Sequence, residues 1–576
     1  MTLVGWLQIT LYFLILLLLV KPLGSYMAKV FQGEKTFFSR LLSPIEKWMY
    51  KAAGIDVSIE MNWKTYAIAL LVFNFFGILF LYLLQRVQGF LPLNPTGATA
   101  VRPDTAFNTA VSYVTNTNWQ NYSGESTMAY ITQMAGMTVQ NFLSAATGIA
   151  VFVAFTRAFI RHGVNTLGNF WVDIVRSVLY VLLPLSLALA LVLVSQGVVQ
   201  TLSNSVQAVL LQTGGATNVQ TIALGPVASQ LAIKHLGTNG GGFFNANASH
   251  PFENPNALTN LLLMLAQTVI PAALTYTFGK MVGDTGQGWT ILAVMVILLV
   301  IFVGCIYAAE ASGNPLFSKL GVDQSASALQ PGGNMEGKEA RFGISGSALF
   351  AGTTTATSNG AVNSMHDSYT PLGGLVLLLL MQLGEVVFGG VGSGMYTMLI
   401  FVIVAVFVAG LMVGRTPEYL GKKIEPFDMK MAALVILIMP IVVLGLTALA
   451  VSTSVGQSAV LNPGAHGFSE ILYAYTSQGN NNGSAFAGLN GNSIFYNLTG
   501  ALAMLIGRYW LAIPTLALAG SIVAKKKVPA GAGTLSTTSL LFVFWLIGII
   551  LIVGALNFLP ALALGPIVEH MIMIGA

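Results

Sequence analysis

Long apolar runs separated by short polar stretches set the pattern of this chain. The runs lie at about 3–21, 64–84, 128–158, 173–196, 256–279, 289–309, 368–414, 429–452, 497–523 and 538–560. A hydrocarbon core of ~30 Å takes ~20 helical residues to cross, so each run predicts a membrane-spanning helix. The seventh is too long for one straight crossing. It contains Gly389-Gly390-Val391-Gly392-Ser393-Gly394 and is read as one interrupted span, giving ten.

Four polar, glycine- or asparagine-rich segments lie between pairs of these runs: Thr115-Asn-Thr-Asn-Trp-Gln120, Thr238-Asn-Gly-Gly-Gly242, Thr357-Ser-Asn-Gly-Ala361 and Asn480-Asn-Asn-Gly-Ser484. Non-helical backbone at membrane depth is tolerated only where protein or a water-filled cavity surrounds it. After the first run the chain reads as span, polar loop, span, four times over, with loops ~120 residues apart. Four such loops around one axis could offer backbone carbonyls in place of an ion's hydration shell. The layout therefore predicts an ion-conducting protein.

Basic residues fix the expected orientation. With the N-terminus outside, 18 of the 25 Lys and Arg face the cytoplasm, 6 face outward and Arg508 falls within a span. This satisfies the positive-inside rule. It also puts all four polar loops on the outer face and both termini outside.

Composition agrees and narrows the function classes. Hydrophobic residues make up 55% and charged residues 8% of the 576, against ~25% charged in soluble domains. The net charge of +5 reflects cytoplasmic Lys and Arg rather than nucleic-acid binding. Cys305, the single cysteine, excludes an intrachain disulfide and is expected to be a small buried apolar residue. The N-terminal run lacks a basic leader and a small-residue cleavage site, so it is expected to be a retained span. No Gly-x-x-x-x-Gly-Lys-Ser/Thr motif and no Asp-Lys-Thr-Gly stretch occurs, and the cytoplasmic loops are too short for nucleotide domains. The chain is not expected to be an enzyme on its own or to bind nucleotide.

Longer motifs carry a family resemblance: Thr115 to Glu125, Gly237 to Asn247 followed by His250-Pro-Phe-Glu-Asn254, Met365-His-Asp-Ser368, Gly384 to Gly394, and Asn480 to Gly488. Over essentially its whole length the chain resembles the A subunits of bacterial potassium-transporting P-type ATPases (KdpA), within the superfamily of K+ transporters. The fold this implies is an all-α membrane protein. It has ten transmembrane helices, with four pseudo-symmetric membrane–pore-loop–membrane repeats around a central pore and one extra helix at each end. The units would be 1–63 (extra helix and cytoplasmic loop), 64–158, 173–279, 289–414 with a broken second helix, 429–523, and 538–576 (C-terminal extra helix).

The function implied is K+ binding from outside and its delivery to a P-type ATPase subunit in the bacterial inner membrane. The partners implied are the B subunit, the C subunit and a small F peptide. An autonomous K+ channel, or a Na+/H+-coupled K+ transporter of the same superfamily, is the alternative; a membrane scaffold would leave the four loops unexplained.

The resemblance makes four segments the K+ selectivity filter: Asn116, Thr117, Asn118, Trp119 and Gln120; Thr238, Asn239, Gly240, Gly241 and Gly242; Thr357, Ser358, Asn359 and Gly360; and Asn481, Asn482 and Gly483. The first loop carries Trp119-Gln120 where a glycine might be expected. Gln120 could offer an amide oxygen to the ion, close the site, or prop the loop through a hydrogen bond. Arg508 is expected beneath the filter as a positive barrier, the competing readings being snorkelling toward the cytoplasm or pairing with a carbonyl of the broken helix. Gly389, Gly390, Gly392 and Gly394 would form a gate in the broken helix, with Glu385 handing on the cation or simply ending a helix. Glu125, Glu253 and Asp367 are read as exposed acids near a cation entrance, and His366 as a hydrogen-bonded loop residue rather than a metal ligand.

Overall fold

The computed structural model describes residues 1–211, 218–328, 330–384, 386–529 and 535–575. Among these, ten helices are long and apolar enough to cross a membrane, as the apolar runs predict. Most extend beyond their apolar run. The first continues through Lys21-Pro22 to Gln32 and ends at Gly33 in the left-handed region. An interior proline costs a helix ~3 kcal/mol. Here the helix packs along Ala257–Val282, with Gly24 directly against the Ala273 carbonyl and Tyr276, and that burial carries it past the proline.

Four shorter helices, Pro103–Val114, Val227–Leu236, Gly343–Ala356 and Ala465–Gly479, each lie between two spans. They are the pore helices, and each ends at one of the four polar loops. The spans preceding them are Trp63–Val87, the continuous Phe170–Ser195, Thr285–Ala311 and Pro426–Val451. The spans following them are Thr132–Ile160, Ala257–Val282, the broken pair Pro371–Gln382 and Ser393–Met412, and Ile494–Ala524.

Burial separates the two sets. The apolar stretches of the following spans are 83%, 78%, 61% and 67% buried; those of the preceding spans are 22%, 39%, 56% and 44% buried. The following helices therefore surround the axis and the preceding ones face lipid. The extra helices Leu3–Gln32 and Leu540–Leu562 complete the fold at the periphery.

Cys305 departs from expectation, since it is exposed. It lies on an outward face of Thr285–Ala311, where lipid is as apolar a neighbour as a protein core. The segment after the first helix forms an amphipathic helix, Ser39–Ala53. Met61–Asn62 then pairs with Thr166–Gly168 in a short antiparallel ladder.

Candidate functional site

The four pore helices end in the same way. The amides of Thr115, Gly237, Thr357 and Asn480 each donate to the carbonyl four residues back. Two residues later the amides of Thr117, Asn239, Asn359 and Asn482 each reach five residues back, to Ser112, Lys234, Thr354 and Ser477. The residue between these two amides has a positive φ in every loop: Asn116 69°, Thr238 49°, Ser358 51° and Asn481 50°. Left-handed backbone at Thr or Ser is strained, and its recurrence in one slot marks it as imposed by the surroundings. Equivalent slots therefore run Asn116/Thr238/Ser358/Asn481, then Thr117/Asn239/Asn359/Asn482, then Asn118/Gly240/Gly360/Gly483.

This alignment alters the expectation for loop 1. Its glycine slot is held by Asn118, at φ 53°, and asparagine is among the few residues that tolerate that region. Trp119 and Gln120 lie one step further out. The Trp119 indole donates to Asn121, and the Gln120 amide pairs reciprocally with Gly242, donating to its carbonyl at 3.0 Å and accepting from its N–H at 3.1 Å. The geometry thus favours the propping reading of Gln120. Thr357 is the C-cap of the third pore helix, one slot before that strand. Gly242 sits above the ring, beside Lys234 and Glu253.

Asparagine amides tie the loops into a closed ring. Asn116 donates to the Thr238 carbonyl (2.8 Å), Asn359 to that of Lys234 (3.2 Å), Asn482 to that of Thr354 (3.0 Å) and Asn481 to the Thr117 hydroxyl (2.9 Å). Loops 1–2, 2–3, 3–4 and 4–1 are each linked. The main-chain oxygens then converge. A point one bond from Gly240 Cα, where a Cβ would stand, lies 2.8 Å from Thr117 O, 2.9 Å from Asn359 O and 3.1 Å from Asn482 O. Only glycine leaves that point open. Four helix C-termini also aim their partial negative charge inward. The arrangement is chemically suited to a dehydrated cation.

Above the ring opens a vestibule of about 910 Å³, with Asn118, Gly240, Gly360 and Gly483 all contributing to its wall. Below the ring lies the break in the third repeat's second helix. Gly389 N–H donates to Ala356 O and Val391 N–H to Thr238 Oγ1, both at 2.9 Å, so the break is tethered to the underside of loops 2 and 3. Its far side rests on Gly148, whose backbone touches Val391 and Gly392. Gly394 is already in the first turn of Ser393–Met412. Glu385 lies outside the described residues.

Arg508 is 5% exposed and donates to Ser144 O at 2.7 Å. Ser144 in turn donates to the Asn116 side chain, which sets the guanidinium just under the ring. Its carbonyl partner belongs to an intact helix, Val139–Ile160, and not to the broken one.

The expected entrance acids behave differently from one another. Glu253 is fully buried and pairs with Lys234 at 2.6 Å, so it is not an exposed acid. Glu125 accepts the Asn245 N–H, and Asp367 accepts from Gly488 and His466. His366 hydrogen-bonds Tyr473; burial, then nearby Lys338, pushes its imidazole down to about 3.

Sequence reasoning missed the hydroxyl braces behind the loops. Ser112 donates to Trp119 O, Thr354 donates to Ala361 O, and Ser477 accepts the Gly483 N–H. A hydroxyl six residues before the third slot in three of the four loops was the available signal.

The sequence model of the Potassium-transporting ATPase A subunit family matches residues 10–571. The chain belongs to the KdpA family. Curated relatives named potassium-transporting ATPase potassium-binding subunit include one from Sorangium cellulosum, 63% identical with 100% of both chains covered. Another, from Herpetosiphon aurantiacus, is 62% identical with 98% of both covered. Among solved structures, the potassium transporter TrkH from Vibrio parahaemolyticus matches with a TM-score of 0.51 at 14% identity, covering 88% of this chain and 95% of that one. At that identity the likeness concerns the fold. A KdpA-family chain thus shares the pore-loop membrane architecture of TrkH, consistent with its ten spans.

Proposed function

We propose that the chain is the potassium-binding, channel-like subunit of an ATP-driven K+ uptake complex. The observation carrying this reading is the convergence of carbonyl oxygens from separate loops on the open point beside Gly240. K+ would enter through the vestibule, shed water at the Asn118/Gly240/Gly360/Gly483 level and be held by main-chain oxygens of the slots below.

Four repeat units, 64–158, 173–279, 289–414 and 429–523, with extra segments 1–63 and 538–576, fit the recurring pore-helix hydrogen bonds. The tethered break around Gly389, Gly390 and Gly392 serves as the gate. Arg508 stands beneath the filter as a positive barrier to passive leak. Glu385, by its position in the sequence of the break, hands the cation on.

ATP hydrolysis comes from a P-type B subunit, with a C subunit and a small F peptide completing the assembly. The named relatives are potassium-binding subunits of an ATPase, which favours this division of labour over an autonomous channel or coupled transporter. The membrane is the bacterial inner membrane, with the vestibule and both termini outside.

The test is K+-stimulated ATPase of the purified complex carrying Gly240→Asp. The new side chain starts within 3.1 Å of three carbonyls, so the expected result is loss of K+ stimulation with the complex still assembled. An unchanged K+ dependence would count decisively against the filter.

A further inference from the structure

A second cavity, of about 630 Å³, lies at the end of the molecule opposite the vestibule, between the end of helix Leu3–Gln32, the amphipathic helix Ser39–Ala53 and the start of span Phe170–Ser195. Its wall holds four basic side chains, Lys35, Arg40, Lys47 and Arg176, against two acidic ones, Glu34 and Glu46. That leaves a surplus of two positive charges.

The acids do not cancel the basic side. Glu46 is buried and committed: it accepts from Tyr50, Tyr180 and Arg176 Nε at 2.7–3.0 Å. Burial pushes its carboxyl up, but the two tyrosines and the guanidinium outweigh that and hold it below the ordinary carboxylate range. Arg176 spends only Nε on this pair. Its terminal nitrogens donate to nothing among the described residues and face Gly33 at the cavity wall. Lys35, Arg40 and Lys47 are exposed and form no ion pair among the described residues. The hydroxyls of Thr36, Ser39 and Ser43 also line the cavity.

The same helix carries an unpartnered apolar face. Leu41, Ile45 and Trp48 are 69%, 43% and 68% exposed, and Phe37, just before it, is 90% exposed. The spacing of four and three residues sets Leu41, Ile45 and Trp48 on one side of the helix. Such a helix lies in the membrane interface, with aromatic and aliphatic groups among acyl chains and cations at headgroup level.

We propose that this cavity binds the phosphate-bearing headgroup of an anionic phospholipid, with its acyl chains lying against Phe37, Leu41, Ile45 and Trp48. The chemistry recognised is a phosphodiester. Arg176 supplies the planar donor fork that suits phosphate oxygens, the lysines and Arg40 add long-range attraction, and the hydroxyls donate the remaining hydrogen bonds. A zwitterionic headgroup gains less, because its ammonium meets the surplus positive charge. The positive-inside bias places this end in the cytoplasmic leaflet.

The experiment uses the purified complex in neutral detergent, titrated with phosphatidylglycerol or phosphatidylcholine carrying brominated chains. The readout is the part of the tryptophan quenching that disappears in Trp48→Phe. Phosphatidylglycerol is expected to half-saturate this signal at lower mole fraction than phosphatidylcholine. Arg40→Gln with Lys47→Gln should raise its half-saturation by about fivefold per side chain removed. Lys51→Gln, on the same helix but outside the cavity, should raise it by clearly less than either cavity residue. Arg40 and Lys47 are solvent-facing, so K+-stimulated ATPase of the double variant without added lipid should match the parent and report intact folding. Equal quenching by the two lipids, no Trp48-dependent quenching, or an equal loss in Lys51→Gln would overturn the proposal. Displacement of the lipid by inorganic phosphate would overturn the lipid assignment in favour of a soluble anion.

Discussion

At the scale of single residues, the ring of loops depends on side chains that hold main-chain oxygens in place. Gln120 is an example, since its amide clamps the Gly242 peptide from both sides. Two ordinary hydrogen bonds contribute about 1–3 kcal/mol. Gln120→Ala should therefore let loops 1 and 2 separate and raise the K+ concentration for half-maximal ATPase by about tenfold, read from a K+ titration of the complex. Lys234 and Glu253 act one layer further out as a fully buried pair. Removing one partner strands a buried charge, at a cost of about 3–5 kcal/mol. Lys234→Met is expected to lower the thermal midpoint of the purified protein sharply, and Lys234→Met with Glu253→Leu to restore much of it.

At the scale of elements, the broken helix is bounded by what it touches. Pro371–Gln382 and Ser393–Met412 are both regular, and the backbone between them is fastened to Ala356 and Thr238 above and to Gly148 beside it. Gly392 combines φ 86° with direct contact of its Cβ direction on the Gly148 carbonyl, so a side chain there meets both strain and a clash. Gly392→Ala should shift the break relative to the filter. The expected readout is altered Rb+ uptake by proteoliposomes of the reconstituted complex, with Rb+ standing for K+, while complex assembly is retained. Uptake identical to the parent would remove the break from the transport path.

At the scale of the whole molecule, distant elements are joined by partly buried polar contacts. His466, in the first turn of the fourth pore helix, bridges Asp367 after the third filter loop and Glu569 of the C-terminal segment. Burial lowers the affinity of its imidazole for a proton, but hydrogen bonds to Asp367 and Glu569 outweigh this and raise it to about 10. A histidine whose folded value lies above its ordinary 6.5 stabilises the fold most below that pH, and the contribution fades as pH rises towards about 10. The thermal midpoint of the parent should therefore exceed that of His466→Gln below about pH 6.5, and the difference should shrink to nothing above about pH 10.

The ten spans, the interrupted seventh and the positions of the four loops were legible in the sequence because each is a local property: twenty apolar residues must cross, and clustered glycine cannot stay helical. The family was legible from long motifs, and with it the four segments that the structure brings together. Other features needed the fold. Which residue fills the glycine slot of loop 1 depends on where the pore helix stops, and the structure gives that place to Asn118. The pairing of Glu253 with Lys234, the Ser144 partner of Arg508 and the asparagine ring all join residues far apart in the chain or on neighbouring helices, and nothing local specifies them. Hydrophobic length is written residue by residue, whereas the meeting of carbonyls from three loops beside Gly240 of the fourth exists only once the four repeats close around an axis.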